Sequence, residues 1–260
     1  MGNLPHYVFA RACRLGFGGK TIFVLKREIL ATMVRPQIIS VETPILGQGR
    51  WKMVGIIPEE VFRDLLTHYQ KAGLGSQLLE SDSSETISGE KAIKINSRKF
   101  DLVILKFASG SIGAGRGFSV GPSISKQVTK MGPTNINFHY IVKGIGKQNE
   151  NDLKAEVKEK KEGLISKKLV DIKWEGGKLA GLLNSDSELK NMIMRFSVVP
   201  LKVEADRKND CVRIINEKGI KITIESSGIF LKETKTRAEN FPPIETLDVI
   251  DKIADYVKSI

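Results

Sequence analysis

Residues 198–226 read VVPLKVEADRKNDCVRIINEKGIKITIES, and their reading decides the fold class. Three runs in it, VVPLKVEA, CVRIIN and KITIES, are rich in β-branched residues that recur at every second position, the period of a half-buried strand. The Asn-Glu-Lys-Gly segment ending at Gly219 lies between the last two and predicts a hairpin turn. Strands that follow one another without an intervening helix argue against a regular βαβ alternation.

Working outward, LVDIKW at 169–174 reads as a further strand and 179–196 as a helical stretch. Pro242 and Pro243 start a last helix, with Leu247, Ile250, Ala254 and Val257 as its buried stripe. Asp248, Asp251, Lys252 and Asp255 form its wet face. Toward the N-terminus, Pro58 opens a helix whose first turn holds Glu59 and Glu60, where the positive end of the helix dipole favours carboxylates. Val61, Leu65, Leu66, Tyr69 and Ala72 line one face of it, and Gly73 stops it. Residues 20–34 fit one or two strands, and strands are also predicted at 37–42, 92–96, 100–108, 118–120 and 135–143. The segment 75–90 reads as a polar loop. Between 148 and 168 the chain is dense in Lys and Glu, and Glu150–Lys154 and Glu156–Lys160 are i,i+4 pairs that predict a solvated helix. The expectation is therefore an α+β chain with two antiparallel or mixed β-sheet regions and packed helices. A basic, β-rich domain over 1–147 is joined by a charged helical linker, 148–168, to an α+β domain over 169–260.

Charge is the most informative functional signal. The first 150 residues hold 20 Lys+Arg against 11 Asp+Glu, and the last 110 hold 21 against 19, so nearly all of the +11 sits in the N-terminal part. A one-sided basic surface suggests an anionic partner, nucleic acid or membrane headgroups. The excess is concentrated in 1–50 and 101–150, with a neutral segment between. Candidate anion contacts are Arg11, Arg14, Lys20, Arg35, Arg116, Lys126 and Lys130. Two cysteines, Cys13 and Cys211, are too few for a disulfide framework or a four-ligand zinc site. No run reaches the roughly 18–20 apolar residues that cross a bilayer. The opening MGNLPHYVF lacks a signal-peptide layout, so a cytoplasmic location is expected. Abundant Lys and Ile with few Cys and Gln lean toward a thermophile's composition.

Catalytic motifs are fragmentary. Gly19, Lys20 and Thr21 match the end of a phosphate-binding P-loop, but Arg14 stands where its first glycine belongs, and a Gly-Gly turn between strands accounts for the segment. Gly110, Gly113, Gly115, Gly117 and Gly121 follow a strand, yet Pro122 and β-like alternation come after them instead of a helix, so they read as a hairpin loop. Residues 179–187, LAGLLNSDS, resemble the signature helix of LAGLIDADG homing endonucleases at five of nine positions. That resemblance implies a metal-dependent DNA cleavage with Asp186 as the metal-binding acid. Ser187 and Asn184 depart from the pattern, and no second copy occurs. The segment Ser185-Asp-Ser-Glu188 reads as a capping box that puts Asp186 at a helix start. His6, His68 and His139 are scattered, and Cys13, although beside Arg11 and Arg14, has no base near it in sequence.

The expected function is a non-enzymatic interaction protein whose basic N-terminal region binds an anionic surface. No cofactor or metal is expected, and no catalytic residue is assigned. Two alternatives stand beside it: a metal-dependent endonuclease or nucleotide-binding enzyme, with Asp186 or Lys20 as its test positions, and a structural subunit held by a protein partner.

Overall fold

The computed structural model describes residues 14–17, 20–23, 57–108, 126–130, 133–163, 168–227 and 233–260. The chain divides into two compact units, 1–49 and 50–260. In the first, Arg14–Phe17 (β1) and Lys20–Phe23 (β2) pair antiparallel with Phe17 opposite Lys20. Only two residues separate the strands, the length of a tight hairpin. A P-loop lysine would open a helix, whereas Lys20 opens a strand.

The second unit carries, in order, Glu59–Lys71 (α1), Ser76–Leu79 (β3), Ala92–Ile95 (β4), Leu102–Phe107 (β5), Lys126–Lys130 (β6), Thr134–Lys143 (β7) and Glu150–Leu153 (α2). Ala155–Glu162 (β8), Lys168–Gly176 (β9), Lys178–Ser185 (α3), Ser187–Phe196 (α4) and Leu201–Asp206 (β10) follow. Cys211–Ser227 (β11), Glu233–Glu239 (β12) and Glu245–Lys258 (α5) complete it. An antiparallel sheet runs β3-β4-β5-β7-β11-β10-β8-β9, and β6 and β12 flank the far half of β11. The α+β class holds.

The expected turn at Gly219 is absent. CVRIIN and KITIES are parts of one 17-residue strand, β11, in which Glu217, Lys218 and Gly219 pair with Asn137, Ile136 and Asn135. The reason lies in the alternation. Val212, Ile214, Ile220 and Ile222 are all fully buried at even positions, so the period of two runs straight through the glycine. Asn216, buried between them, donates from Nδ2 to the Pro200 carbonyl at 3.0 Å.

The charged helix expected over 148–168 is also overturned. After the single turn of α2, residues 155–162 form strand β8, paired with β9 so that Val157 faces Trp174. The Lys and Glu residues that suggested i,i+4 helix pairs instead meet at i,i+2 along the strand: Lys158–Glu156 at 2.7 Å and Lys161–Glu159 at 2.6 Å. Burial of Ala155 and Val157 outweighs helix pairs worth a few tenths of a kcal/mol each. The sheet is continuous on both sides of this segment, through β7, β11, β10 and β8. The supposed loop 75–90 likewise begins with strand β3.

All five α-helices among the described residues contribute to one core. It joins Val61, Leu65 and Tyr69 of α1, Leu183 of α3, Ile193 of α4 and Ile250 and Val257 of α5 to Phe138 and Tyr140 of β7. Gly73 follows α1 at φ +79°, as the sequence predicts for its stop. The wet face assigned to α5 is engaged. Asp248 and Asp251 both take Arg98, at 2.6 and 3.0 Å, and Lys252 reaches Asp186 and Glu188. On the opposite side of the sheet a smaller cluster of Leu79, Ile87, Ala92, Leu102, Ile104, Ile141 and Cys211 contains no helical residue.

Candidate anion-binding face

Because side chains alternate along a strand, register assigns every strand residue to one side of the sheet. On the side away from the helices, Lys94, Leu102, Ile141 and Arg213 share one row across β4, β5, β7 and β11. Lys106 lies on the same side four residues along β5, and Lys143 two residues along β7. Farther along β11 the same side carries Lys221, Thr223, Glu225 and Ser227. Thr223 is opposite Lys130 of β6 and Arg237 of β12, Glu225 is opposite Lys235, and Ser227 is opposite Lys126 and Glu233.

Across β4–β7, β11 and β12 this side therefore holds nine basic residues: Lys94, Lys106, Lys126, Lys130, Lys143, Arg213, Lys221, Lys235 and Arg237. The acids on the same side of those strands are Glu217, Glu225, Glu233 and Glu239. The other side of the same strands bears a single charge among the described residues, Lys218. These six strands are thus amphipathic, apolar toward the helices and basic away from them, whereas on β10, β8 and β9 the same side mixes Glu156, Asp171, Glu175, Glu204 and Asp206 with Lys158, Lys160, Lys173 and Lys202 and carries no basic excess.

The far end is held by α1. Asp64 of that helix accepts the Ala238 amide at 2.7 Å, and Ile222 and Ala238 are buried in the helix-side core. Lys235 and Arg237, at alternate positions of β12, are left exposed, about 7 Å apart along the strand. Lys221 is paired at 3.0 Å with Glu239.

The near end is covered by the connection between β3 and β4, residues 80–91. Ile87 inserts into the small apolar cluster, and polar contacts surround it. Glu85 takes Lys94 at 2.5 Å, and its carbonyl accepts from Lys143 Nζ at 2.5 Å. Glu90 takes Lys106 at 2.6 Å and stands 3.6 Å from Arg213 Nη1. Arg213 also donates from Nε and Nη2 to Asp206, at 2.9 and 2.8 Å. Burial would raise the Asp206 carboxyl, but Asn209 and Arg213 outweigh it and hold its pKa below the usual range. Ser88 hydrogen-bonds Asn209 and so ties the connection to the β10–β11 turn. A cleft of about 290 Å³ lined by Glu85, Lys94, Asn96, Arg98, Asp101 and Lys143 adjoins this connection. A second, of about 360 Å³, is lined by Thr86, Ser88, Lys143, Gly144, Asn209 and Asp210.

His139 lies in the middle of this side, between Ile104 and Ile215, and only 7% of it is exposed. Neither ring nitrogen has a hydrogen-bond partner. Burial first, then the positive charges of Arg213, Lys106 and Lys202, push its pKa down to about 3, so the ring is neutral at physiological pH. Cys211 is fully buried and its thiol is pushed up to about 11 by burial, which makes it inert as a nucleophile.

Of the residues expected from sequence to contact an anion, Lys126 and Lys130 fall on the basic side through their register in β6. Arg14 and Lys20 belong to the separate β1–β2 hairpin. Arg11, Arg35, Arg116 and the glycine-rich segment around Arg116 lie outside the described residues. Lys94, Lys106, Lys143, Arg213, Lys221, Lys235 and Arg237 were not singled out. The period-two pattern of ETKTRAE, residues 233–239, was a usable signal for the last two: Thr234, Thr236 and Ala238 alternate with Lys235 and Arg237.

Asp186 is fully occupied. It follows the end of α3 and caps α4, where its Oδ1 accepts the Leu189 amide at 2.9 Å. Tyr256 donates to its Oδ2 at 2.9 Å, and Lys252 pairs with it at 3.0 Å. Asn184, the other acidic position of the endonuclease motif, brackets the backbone of Trp174 instead, donating at 2.8 Å and accepting at 2.9 Å. Among the described residues no group of three or more His, Cys, Asp or Glu side chains is placed to hold a metal ion. No described helix is long and apolar enough to cross a membrane. Comparison with protein-family models, with curated proteins and with solved structures finds no match.

Proposed function

We propose that this protein is a binding module for a nucleic acid, held by its phosphates against the helix-free side of the sheet. The observation that carries the reading is the segregation of charge: nine basic and four acidic residues on one side of six strands, and Lys218 alone on the other. A solvated sheet face needs polar residues of any kind, and a predominance of one sign is the electrostatic footprint of a polyanion site. The contact region is the β6–β11–β12 extension, where Lys221, Lys235 and Arg237 are exposed and Lys126 and Lys130 hold register positions on the same side. Lys130 and Arg237 lie two strand spacings apart, about 10 Å, on either side of Thr223. The role is binding without catalysis. Asp186, the residue most suggestive of cleavage, is committed to capping and pairing.

Fluorescence anisotropy with a labelled 20-mer, single-stranded and duplex, over a salt series tests this. About four phosphates neutralised by these side chains give log K against log salt a slope of roughly −3 to −4. Absence of binding at low salt, or a slope near zero, overturns the proposal. Binding to anionic vesicles but not to either oligonucleotide would assign the face to a membrane surface instead.

A further inference from the structure

The basic side is exposed at one end only. At the other end four of its cations, Lys94, Lys106, Lys143 and Arg213, are met by the connection 80–91. That connection, ESDSSETISGEK, carries four acids and five hydroxyl residues in its first eleven positions. One apolar residue, Ile87, anchors it. We infer that residues 80–90 are an acidic strap that mimics the polyanion, occupies the near half of the face, and is displaced when a ligand longer than the β6–β11–β12 extension binds. The inference rests on the nucleic-acid reading of that face.

Three features support a strap over a permanent cap. The Glu85 side chain is about half exposed, so its carboxylate's pairing with Lys94 exchanges readily with other anions. Ser88 and Gly89, at φ +53° and +70°, form a left-handed bend at its downstream end, a local hinge between the Glu85 and Glu90 contacts. Arg213 and Lys221 lie eight residues apart on one side of β11, about 27 Å, so a ligand following that strand crosses from the open end onto the cations the strap covers. Once the strap lifts, an incoming phosphate finds Lys94 and Lys143 unpaired and Lys106 freed from Glu90.

The test compares Glu85→Gln and Glu90→Gln with Asp82→Asn in the full chain, using the anisotropy titration with a 20-mer duplex. Asp82→Asn makes the same charge change in the same connection, at an exposed acid that pairs with no sheet cation among the described residues. Each Gln variant should bind several-fold more tightly than Asp82→Asn, with the salt slope steeper by about one unit. Hydrogen exchange supplies a measurement free of mutation: the amides of Thr86 and Glu90, bonded to the Ser83 and Ile87 carbonyls, should exchange faster when the duplex is bound. If the wild type binds but the Gln variants match Asp82→Asn and exchange at 86 and 90 is unchanged, the strap is wrong and the binding face stands. If neither the single-stranded nor the duplex 20-mer binds at low salt, both fail.

Discussion

Replacing Asp186 separates a structural acid from a catalytic one. The side chain is 9% exposed and serves three partners: the Leu189 amide, the Tyr256 hydroxyl and Lys252. Asp186→Ala removes an N-cap, worth about 1 kcal/mol. It leaves the Tyr256 hydroxyl without its charged acceptor, worth roughly 1–2 kcal/mol at this half-buried place. Lys252 keeps Glu188 at 2.6 Å, so the lost ion pair adds less than about 1 kcal/mol. The sum is about 2–3 kcal/mol, a fall in Tm of roughly 5–10 °C for a unit of this size. Asp186→Asn keeps the cap and an acceptor oxygen and should cost about 1 kcal/mol. The two variants also differ from the wild type in pH dependence. Burial pushes the Asp186 carboxyl up, but the Leu189 amide, Lys252 and Tyr256 outweigh it, and its folded pKa lies below the ordinary value. A depressed carboxyl stabilises the fold above the unfolded pKa of about 3.9 and loses that contribution as pH falls through the folded value. The gap between wild type and Asp186→Asn should therefore shrink below about pH 4. Urea unfolding at pH 7, 5, 4 and 3 measures it. A wild-type stability for Asp186→Ala, together with loss of a magnesium-dependent cleavage, would refute the reasoning and return Asp186 to the endonuclease reading.

Three further outcomes follow from the same geometry. Arg237→Ala and Lys130→Ala should each weaken oligonucleotide binding and make the salt slope shallower by about 0.7–0.9, whereas Lys218→Ala, on the helix side, should leave the slope unchanged in the anisotropy titration. His139 has a folded pKa of about 3 against about 6.5 unfolded, so its neutral form stabilises the fold above pH 6.5, and stability falls by up to about 1.4 kcal/mol per pH unit between those values; His139→Leu should flatten that part of a denaturant-unfolding profile. Gly219→Ala should change stability by less than about 1 kcal/mol, because a Cβ there meets Asn135 Oδ1 at 3.4 Å in an extended strand, while Gly177→Ala should prevent folding, its Cβ falling 1.7 Å from the Asn151 carbonyl oxygen, and circular dichroism melts distinguish the two.

The helices were legible because their signals are local. Pro58 with Glu59 and Glu60, Gly73, and the Leu247–Ile250–Ala254–Val257 stripe each act within one or two turns, and α1 and α5 lie where those signals put them. The strands were legible as strands but not in extent. Asn-Glu-Lys-Gly carries a real turn propensity, and it loses to the burial of Ile214, Ile220 and Ile222 on both sides of it, a tertiary effect that no short window contains. Residues 155–162 failed for the same reason. Their Lys and Glu residues satisfy helix and strand pairing alike, and the choice is made by Trp174 and Ile172 on a partner strand.

Charge shows the limit most clearly, because net charge is a property of composition whereas a binding face is a property of register. Counting by halves placed nearly all of the excess before residue 150. Yet Arg213, Lys221, Lys235 and Arg237 come from the nearly neutral half, and they lie on the same side of the sheet as Lys94, Lys106 and Lys130. Of the acids nearest them in sequence, Glu217, Glu225, Glu233 and Glu239 share that side, Glu239 pairs with Lys221 and Asp206 pairs with Arg213, while the more distant acids at α4 and α5 are drawn elsewhere: Asp248 and Asp251 to Arg98, and Glu188 and Asp186 to Lys252. A one-residue slip of β11 would exchange Arg213 and Lys221 for Ile214 and Ile222 and bury the basic row, so the apolar side of β11 fixes the basic one. The face is therefore a consequence of core packing, and substitutions that loosen the Ile214–Ile222 register should weaken polyanion binding without touching a single cation.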